Sequence, residues 1–333
     1  MTTPARLLAV VALSTGALAL PLSAQSAQCA SQPAALRDAC QKGTDIFAML
    51  MPQVQGALGG GGPVLGSSRA VRGLSIGLRV NAMDGAVPEI TNVSLSGTGV
   101  VRSTFATKRA PVPMPALDVA LGVFPGVNLG VQRVLSLDAL VNVAYMPKQD
   151  VEDFSIRPSK SSFKFGYGAR LGLLADRLMV PAVAISYFRR QIPTTTFSTS
   201  FTSGVSGVTV NDSLALSELS IRNDALRLSA SKKLGFIEIG GGVGQDTYRS
   251  FSQLQARVTP PVGSAASGAF VLTQQIKRNA AYGSLALNIL KLRIGAEAGQ
   301  TFGGDSVSTF NEFTDGKINE KRMFGSVGLR LSF

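Results

Sequence analysis

The 333-residue chain has no histidine, no tryptophan and only two cysteines. Without histidine there is no Ser-His-Asp triad and no imidazole base. Two cysteines alone do not make a zinc site, and no cofactor is expected. Charge is scarce as well: 16% of residues are charged, while mean hydropathy is +0.24. A soluble secreted chain of this length would carry more surface charge, so something other than water is expected to cover apolar surface. Past residue 24, no stretch approaches the roughly 18 unbroken apolar residues of a membrane helix. Serines and acids are scattered without partner spacing. The glycines at 240–244 lie within a strand pattern rather than at a strand-to-helix turn, so they make no dinucleotide fingerprint. An enzyme is not expected.

The excess charge is basic, +12 from 32 Lys and Arg against 20 Asp and Glu. In an exported, apolar, aromatic-poor chain this suits acidic lipid head groups, lipopolysaccharide among them, better than nucleic acid. Export itself is read from residues 1–24. Arg6 precedes an apolar run, Pro21 breaks it, and Leu-Ser-Ala follows. That is the layout of a signal peptide cleaved after Ala24. A membrane anchor is the competing reading, but the run is short. Cys29 and Cys40 then lie in an oxidising compartment, where they are expected to form one disulfide.

Residues 25–66 stand apart from the rest. Pro33 to Met51 reads as a helix, with Ser31 as its cap and Pro33 in its first turn. Pro52 is expected to kink or end it. Glycines 59–62 and Pro63 form a flexible hinge. The helix is apolar toward its end, at Phe47, Met49 and Met51. It could plug a lumen or lie as a packed cap under a periplasmic mouth.

From residue 67 onward the period changes to two. Leu74, Ile76, Leu78 and Val80 alternate with Gly73, Ser75, Gly77 and Arg79. The same pattern recurs at 117–123, 141–145, 163–173, 183–187, 226–228, 237–244, 284–298 and 326–333. Short turns near 174–178, 232–234 and 289–291 separate long polar segments near 147–160, 191–212, 250–267 and 303–320. One connection, 124–136, is longer than the short-turn side wants. Short turns on one side and long loops on the other is the plan of an outer-membrane barrel. The fold class expected is therefore all-β, an antiparallel transmembrane β-barrel of 10–14 strands. Twelve is preferred if residues 83–114 hide a further pair. A β-sandwich also alternates, but its polar faces would carry more charge and less glycine.

By parity, Arg79, Asp118, Lys164, Arg170, Arg227, Glu238, Arg293, Glu297 and Arg330 face the lumen. They are expected either to pair as a stiffening network or to line a basic pore. Tyr145, Tyr187, Phe163 and Phe165 are expected to face lipid as a thin girdle, with no tryptophan in it.

The last ten residues, FGSVGLRLSF, resemble the terminal signal read by the barrel-assembly machinery of bacterial outer-membrane proteins. That resemblance implies this machinery as a partner through the strand ending at Phe333. It also implies a Gram-negative outer membrane as the location, with the last strand pairing with the first near Val71–Asn81. The layout as a whole is similar to the FadL-type transporters of hydrophobic compounds, although those chains are generally longer and 14-stranded. This resemblance implies that residues 43–66 plug the lumen, and it carries over no ligand residue. Two functions are left open. One is a plugged channel or passive transporter of small molecules, hydrophobic ones included. The other is a non-transporting structural or surface-interaction barrel acting through its loops.

Overall fold

A computed structural model of the chain describes residues 25–333 except 60, 90–93, 147, 152–153, 206–207, 260–263 and 315–318. The signal-peptide reading of residues 1–24 lies outside the described residues. Ten strands carry the architecture. They are β1 (Leu74–Pro88), β2 (Thr107–Phe124), β3 (Ser136–Tyr145), β4 (Phe163–Leu174), β5 (Ala182–Gln191), β6 (Val208–Leu234), β7 (Ile237–Val258), β8 (Ala266–Ile289), β9 (Leu292–Phe302) and β10 (Arg322–Ser332). Each pairs antiparallel with its neighbours in sequence. β1 also pairs with β10, from Ser75↔Ser332 to Met83↔Phe324, and this closes the ring. Closure leaves no free sheet edge among the ring strands, the condition for crossing a bilayer with strands.

The ring thus has ten strands, at the lower end of the expected range and two short of the preferred twelve. Residues 83–88 and 107–114 lengthen β1 and β2 instead of forming another pair. Three of the segments read as long loops are mostly strand, the first through Gln149–Val151 and Phe154–Pro158, which pair with each other. Residues 195–205 pair with the upper part of β6, and β7 and β8 run on as partners to Val258↔Ala266. Threonine and phenylalanine in TTTFSTSFTSGV favour strand although the segment is polar. The long connection after β2 contains a small hairpin, Val127–Leu129 with Gln132–Val134, which accounts for its length.

The exterior is apolar. Leu78, Val80, Leu117, Val141, Phe165, Ile185, Leu228, Val243, Leu285, Ile294, Val327 and Leu329 all point outward and are exposed, as are Tyr145, Phe163 and Tyr187. No described helix is long and apolar enough to cross a membrane. This closed, apolar-sided cylinder crosses with its strands, and the short turns and long connections lie at opposite ends. In outer-membrane barrels these ends are the periplasmic and the external side respectively.

Inside the ring sits a short helix, α1 (Ala27–Ala30), joined to a long one, α2 (Ala34–Gly59), by the Cys29–Cys40 disulfide. α2 runs through Pro52 without ending and carries on eight residues past Met51. It packs on the inner faces of β1 and of β6, β7 and β8, the three longest strands of the ring. The main apolar core lies there, between Leu36, Phe47, Met51 and Leu58 of the helix and Met83, Leu254, Phe270 and Leu272 of the wall. The helix therefore lies at the loop end, not under the periplasmic mouth. Over it fold two loop segments, which pair at Thr104–Phe105 and Glu312–Phe313 and stack Phe105 on Phe313.

Candidate functional site

The lumen below α2 is filled by large side chains that stand over a wall of small residues. Glycines 240, 242 and 244 of β7 and 166 and 168 of β4 face inward. A Cβ on Gly242 would stand 2.6 Å from the Tyr282 hydroxyl oxygen, and one on Gly244 would stand 2.8 Å from Cδ of Arg227. These glycines make room for larger side chains from neighbouring strands, and those side chains are mostly arginine.

Four buried or nearly buried ion pairs span the wall. Arg79 of β1 meets Asp118 of β2 at 2.9 Å. Arg170 of β4 grips Asp138 of β3 through Nε at 2.9 Å and a terminal nitrogen at 2.7 Å. Arg227 of β6 meets Asp246 of β7 at 2.6 Å, and Arg293 of β9 meets Glu238 of β7 at 2.5 Å across β8. Each charge faces an opposite one, without which burial at this depth would be prohibitive. Arg330 donates to the Ser75 hydroxyl. Lys164 also faces inward, half-buried on β4, but stands apart from this network.

The same arginines hold the segment that links α2 to β1. Residues 58–59 and 61–71, the thread, lie in the lumen between the C-terminal end of α2 and the turn end. The helix ends with its carbonyls buried, and Arg190 donates to both Leu58 O and Gly59 O at 3.0 Å. Arg227 adds a longer bond to Gly59 O. Cations at this end also face the negative pole of the helix dipole. Farther along, Arg79 donates to Gly62 O at 2.8 Å, and Arg293 to Leu65 O at 3.1 Å. Arg170 donates to Ser67 O and Arg69 O, each at 2.6 Å.

Acids take up the thread's N–H groups. Glu297 accepts from Gly62 N at 3.1 Å, from Gly66 N at 2.5 Å and from the Ser326 hydroxyl at 3.1 Å. Asp138 accepts from Val71 N at 3.0 Å, and Ser231 from Ser68 N at 2.9 Å. The glycines let the backbone bend round Glu297. Gly61 and Gly66 have φ of +72° and +68°, and a Cβ on Gly61 would fall 1.8 Å from a Glu297 oxygen. An L-residue suits neither the dihedral nor the space. The spaces left beside Pro63–Leu65 and beside Gly56 measure about 10 Å³ each, room for no more than about one water.

Of the residues expected to act in the lumen, Arg79 and Asp118, and Arg293 and Glu238, come together as pairs. Arg170, Arg227 and Glu297 meet partners that the periodicity did not single out. Phe47, Met49 and Met51 are all buried, Phe47 and Met51 in the main core and Met49 beside Ala86. The residues missed are Asp138, Arg190 and Asp246. A signal for each was present. Asp138 sits two positions before Leu140 on the face that includes Asn142, Arg190 two after Phe188, and Asp246 two after Gly244. Asp138 stands between the outward, apolar Leu137 and Ala139, whereas at Arg190 and Asp246 the alternation loses its outward apolar marks. It continues inward past the point where the outward residues turn polar, at Arg189, Gln245 and Thr247.

At the loop end, α2 is latched by its own acids. Asp38 accepts from Ser96 N and Val101 N and pairs with Lys42. Asp45 accepts from Asn311 N at 2.9 Å, Asn311 Nδ2 at 2.7 Å and Phe310 N at 3.3 Å. Burial raises the Asp45 carboxyl above its ordinary value, and the Asn311, Phe310 and Gln41 hydrogen bonds offset part of that rise.

No family model and no curated protein matches the chain. Among solved structures it is similar to the CymD monoaromatic hydrocarbon channel, at 10% identity over 84% of this chain and 97% of that one, with a TM-score of 0.32. It is also similar to the translocator domain of autotransporter NalP from Neisseria meningitidis, at 13% identity over 87% and 95%, with a TM-score of 0.38. An anion-selective porin from Comamonas acidovorans aligns at 10% identity over 78% and 98%, with a TM-score of 0.18. Overlaps this loose carry no argument about function, and the assignment rests on the chain's own strand pairing and belt. The chain is an antiparallel transmembrane β-barrel of the bacterial outer-membrane type.

Proposed function

We propose that the protein is an outer-membrane channel in its closed state, held shut by its own N-terminal segment. The observation that carries this reading is how the polar bonds are divided. The four strong ion pairs run from wall to wall, whereas the thread is held through its backbone. If the thread leaves, the wall keeps its charge pairing and presents unspent guanidinium donors and Glu297 to water. A hydrated pore results rather than a set of orphaned charges. Its solutes would be small and mainly polar, because arginine, acid, serine and glycine line most of the lower lumen, beside one apolar patch of Ala120, Leu140 and Phe188 that packs on Val64 and Val71 of the thread. That patch is small beside the charged network, so hydrophobic cargo draws less support from that half of the lumen.

The test is conductance of the refolded protein in a planar bilayer, with and without residues 25–66. The full chain is expected to be silent and the truncated chain to give discrete steps. Silence in both forms would overturn the channel and leave the other function, a filled barrel that works through its loops. The deletion leaves the ring's strands intact, since β1 begins at Leu74.

A further inference from the structure

The outer face carries a charged cluster that the channel reading does not use. On β5, β6 and β7, three arginines gather round one acid. Asp224 receives Arg189 Nε at 2.6 Å, a terminal nitrogen of Arg249 at 2.8 Å and the Tyr187 hydroxyl at 2.7 Å. Arg222 Nε stands at 3.4 Å. Three guanidiniums against one carboxylate leave a net charge of +2 (3 − 1) on the outside of the barrel.

The cluster is both pre-arranged and unsaturated. The Tyr167 and Tyr187 hydroxyls hold Arg189, and Gln275 holds Nε of Arg249. Asp224 is nearly covered, at 12% exposure, whereas Arg222 and Arg249 are 39% and 43% exposed. Arg222 reaches Asp224 through Nε alone, and one terminal nitrogen of Arg249 makes no bond among those described. Asp224 thus acts as a hub that leaves the Arg222 and Arg249 forks facing the surroundings, while each nitrogen of Arg189 already has one partner on the barrel.

Its height is what selects the ligand. Asp224 lies ten residues above the turn at Leu234, about 33 Å along the strand. At a tilt of about 40° that is about 25 Å along the barrel axis, the height of the apolar belt of such barrels. Directly below lie the outward apolar residues Leu226, Leu228, Ile185 and Val243. The cluster therefore sits where acyl chains end and head groups begin, on the loop side. Guanidinium forks match phosphate oxygens in pairs.

We infer that Arg189, Arg222 and Arg249, organised by Asp224, form a binding site for the phosphate of a phosphorylated lipid in the loop-side leaflet. The site rests on the barrel's membrane placement and not on the channel reading, so conductance and lipid binding fail independently.

The experiment is a titration of the full chain, refolded in phosphatidylcholine nanodiscs, with bisphosphorylated lipid A, read by native mass spectrometry. Inorganic phosphate serves as the soluble competitor. Retained lipid on the native chain, weakened on the order of a hundredfold in the R189Q/R222Q/R249Q variant, is the expected result, since each basic residue near a membrane surface contributes roughly fivefold. Arg133→Gln, a charge change at the turn end, should leave affinity unchanged. Equal binding by the triple variant would overturn the site. Displacement of the lipid by inorganic phosphate at a similar concentration would overturn the lipid assignment in favour of a soluble anion. Should the triple variant fail to fold, the exposed single changes R222Q and R249Q decide the matter, each expected to weaken binding about fivefold.

Discussion

Glu297 is the residue on which the thread's path turns. Its carboxylate is buried and accepts two backbone N–H groups from the glycine segment, whose neighbouring carbonyls Arg79 and Arg293 hold. Glu297→Ala leaves those donors without an acceptor, at about 1–3 kcal/mol for each one still buried. The expected outcome is a loosened thread in an intact ring. The chain has no free cysteine, so Ser67→Cys gives a single reactive thiol, and its labelling by a water-soluble reagent should speed up in the Glu297→Ala background and stay slow without it. Asp45 makes a second prediction, with the sign set by its raised carboxyl. The folded state holds the Asp45 proton to a higher pH than the unfolded chain does. Between the ordinary carboxylate value and the raised one, the folded state binds more protons, so this group's contribution to stability falls as pH rises. Asp45→Asn should remove that slope, which denaturant titrations of both proteins from pH 4 to 7 would reveal.

At the scale of elements, α2 and the thread behave as two different parts. The helix is held by apolar contact, with Phe47, Met51 and Leu58 against β7 and β8. The thread is held by polar bonds from five arginines and two acids. Loss of Asp138 tests the second kind of contact. It serves both Arg170 of the wall and Val71 N of the thread, so Asp138→Ala unpairs a buried guanidinium and frees one end of the thread. Breaking a buried pair by removing one partner costs about 3–5 kcal/mol. Urea titration of the refolded variant should show a loss of that order, whereas Asp84→Ala, at an exposed pair with Arg109, should change stability by less than about 1 kcal/mol.

For the whole molecule, the outward belt and the inward network make opposite demands on the same strands. Val327 of β10 points outward and lies opposite Val80 and Ala296 on the flanking strands. A charge there meets lipid with no partner. Val327→Arg is expected to cost about 2–4 kcal/mol near the bilayer midplane, measured as a lower urea midpoint in vesicles. A cost within a few tenths would place this face in water and contradict the belt.

Much of this was legible in the residues. Period-two alternation with glycine and single charges on one face announced a barrel, because a sheet with lipid outside and a narrow lumen inside needs just those two faces. The lumen positions of Arg79, Asp118 and Glu238 followed from parity, since side chains alternate along a regular strand between bulges. Parity does not carry register, and register decides partners: Arg293 meets Glu238 across an intervening strand, not Glu297 on its own. The ring's ten strands and the strand character of residues 195–205 also emerged only with the pairing, because polar strands lack the apolar marks by which alternation is recognised. What tertiary structure alone decided is the path of residues 34–59 and 61–71. A helix and a glycine linker are compatible with either end of a barrel, and nothing local selects between them. Arginines brought from five strands into one lumen set the choice, because their buried donors need carbonyls and the thread supplies them.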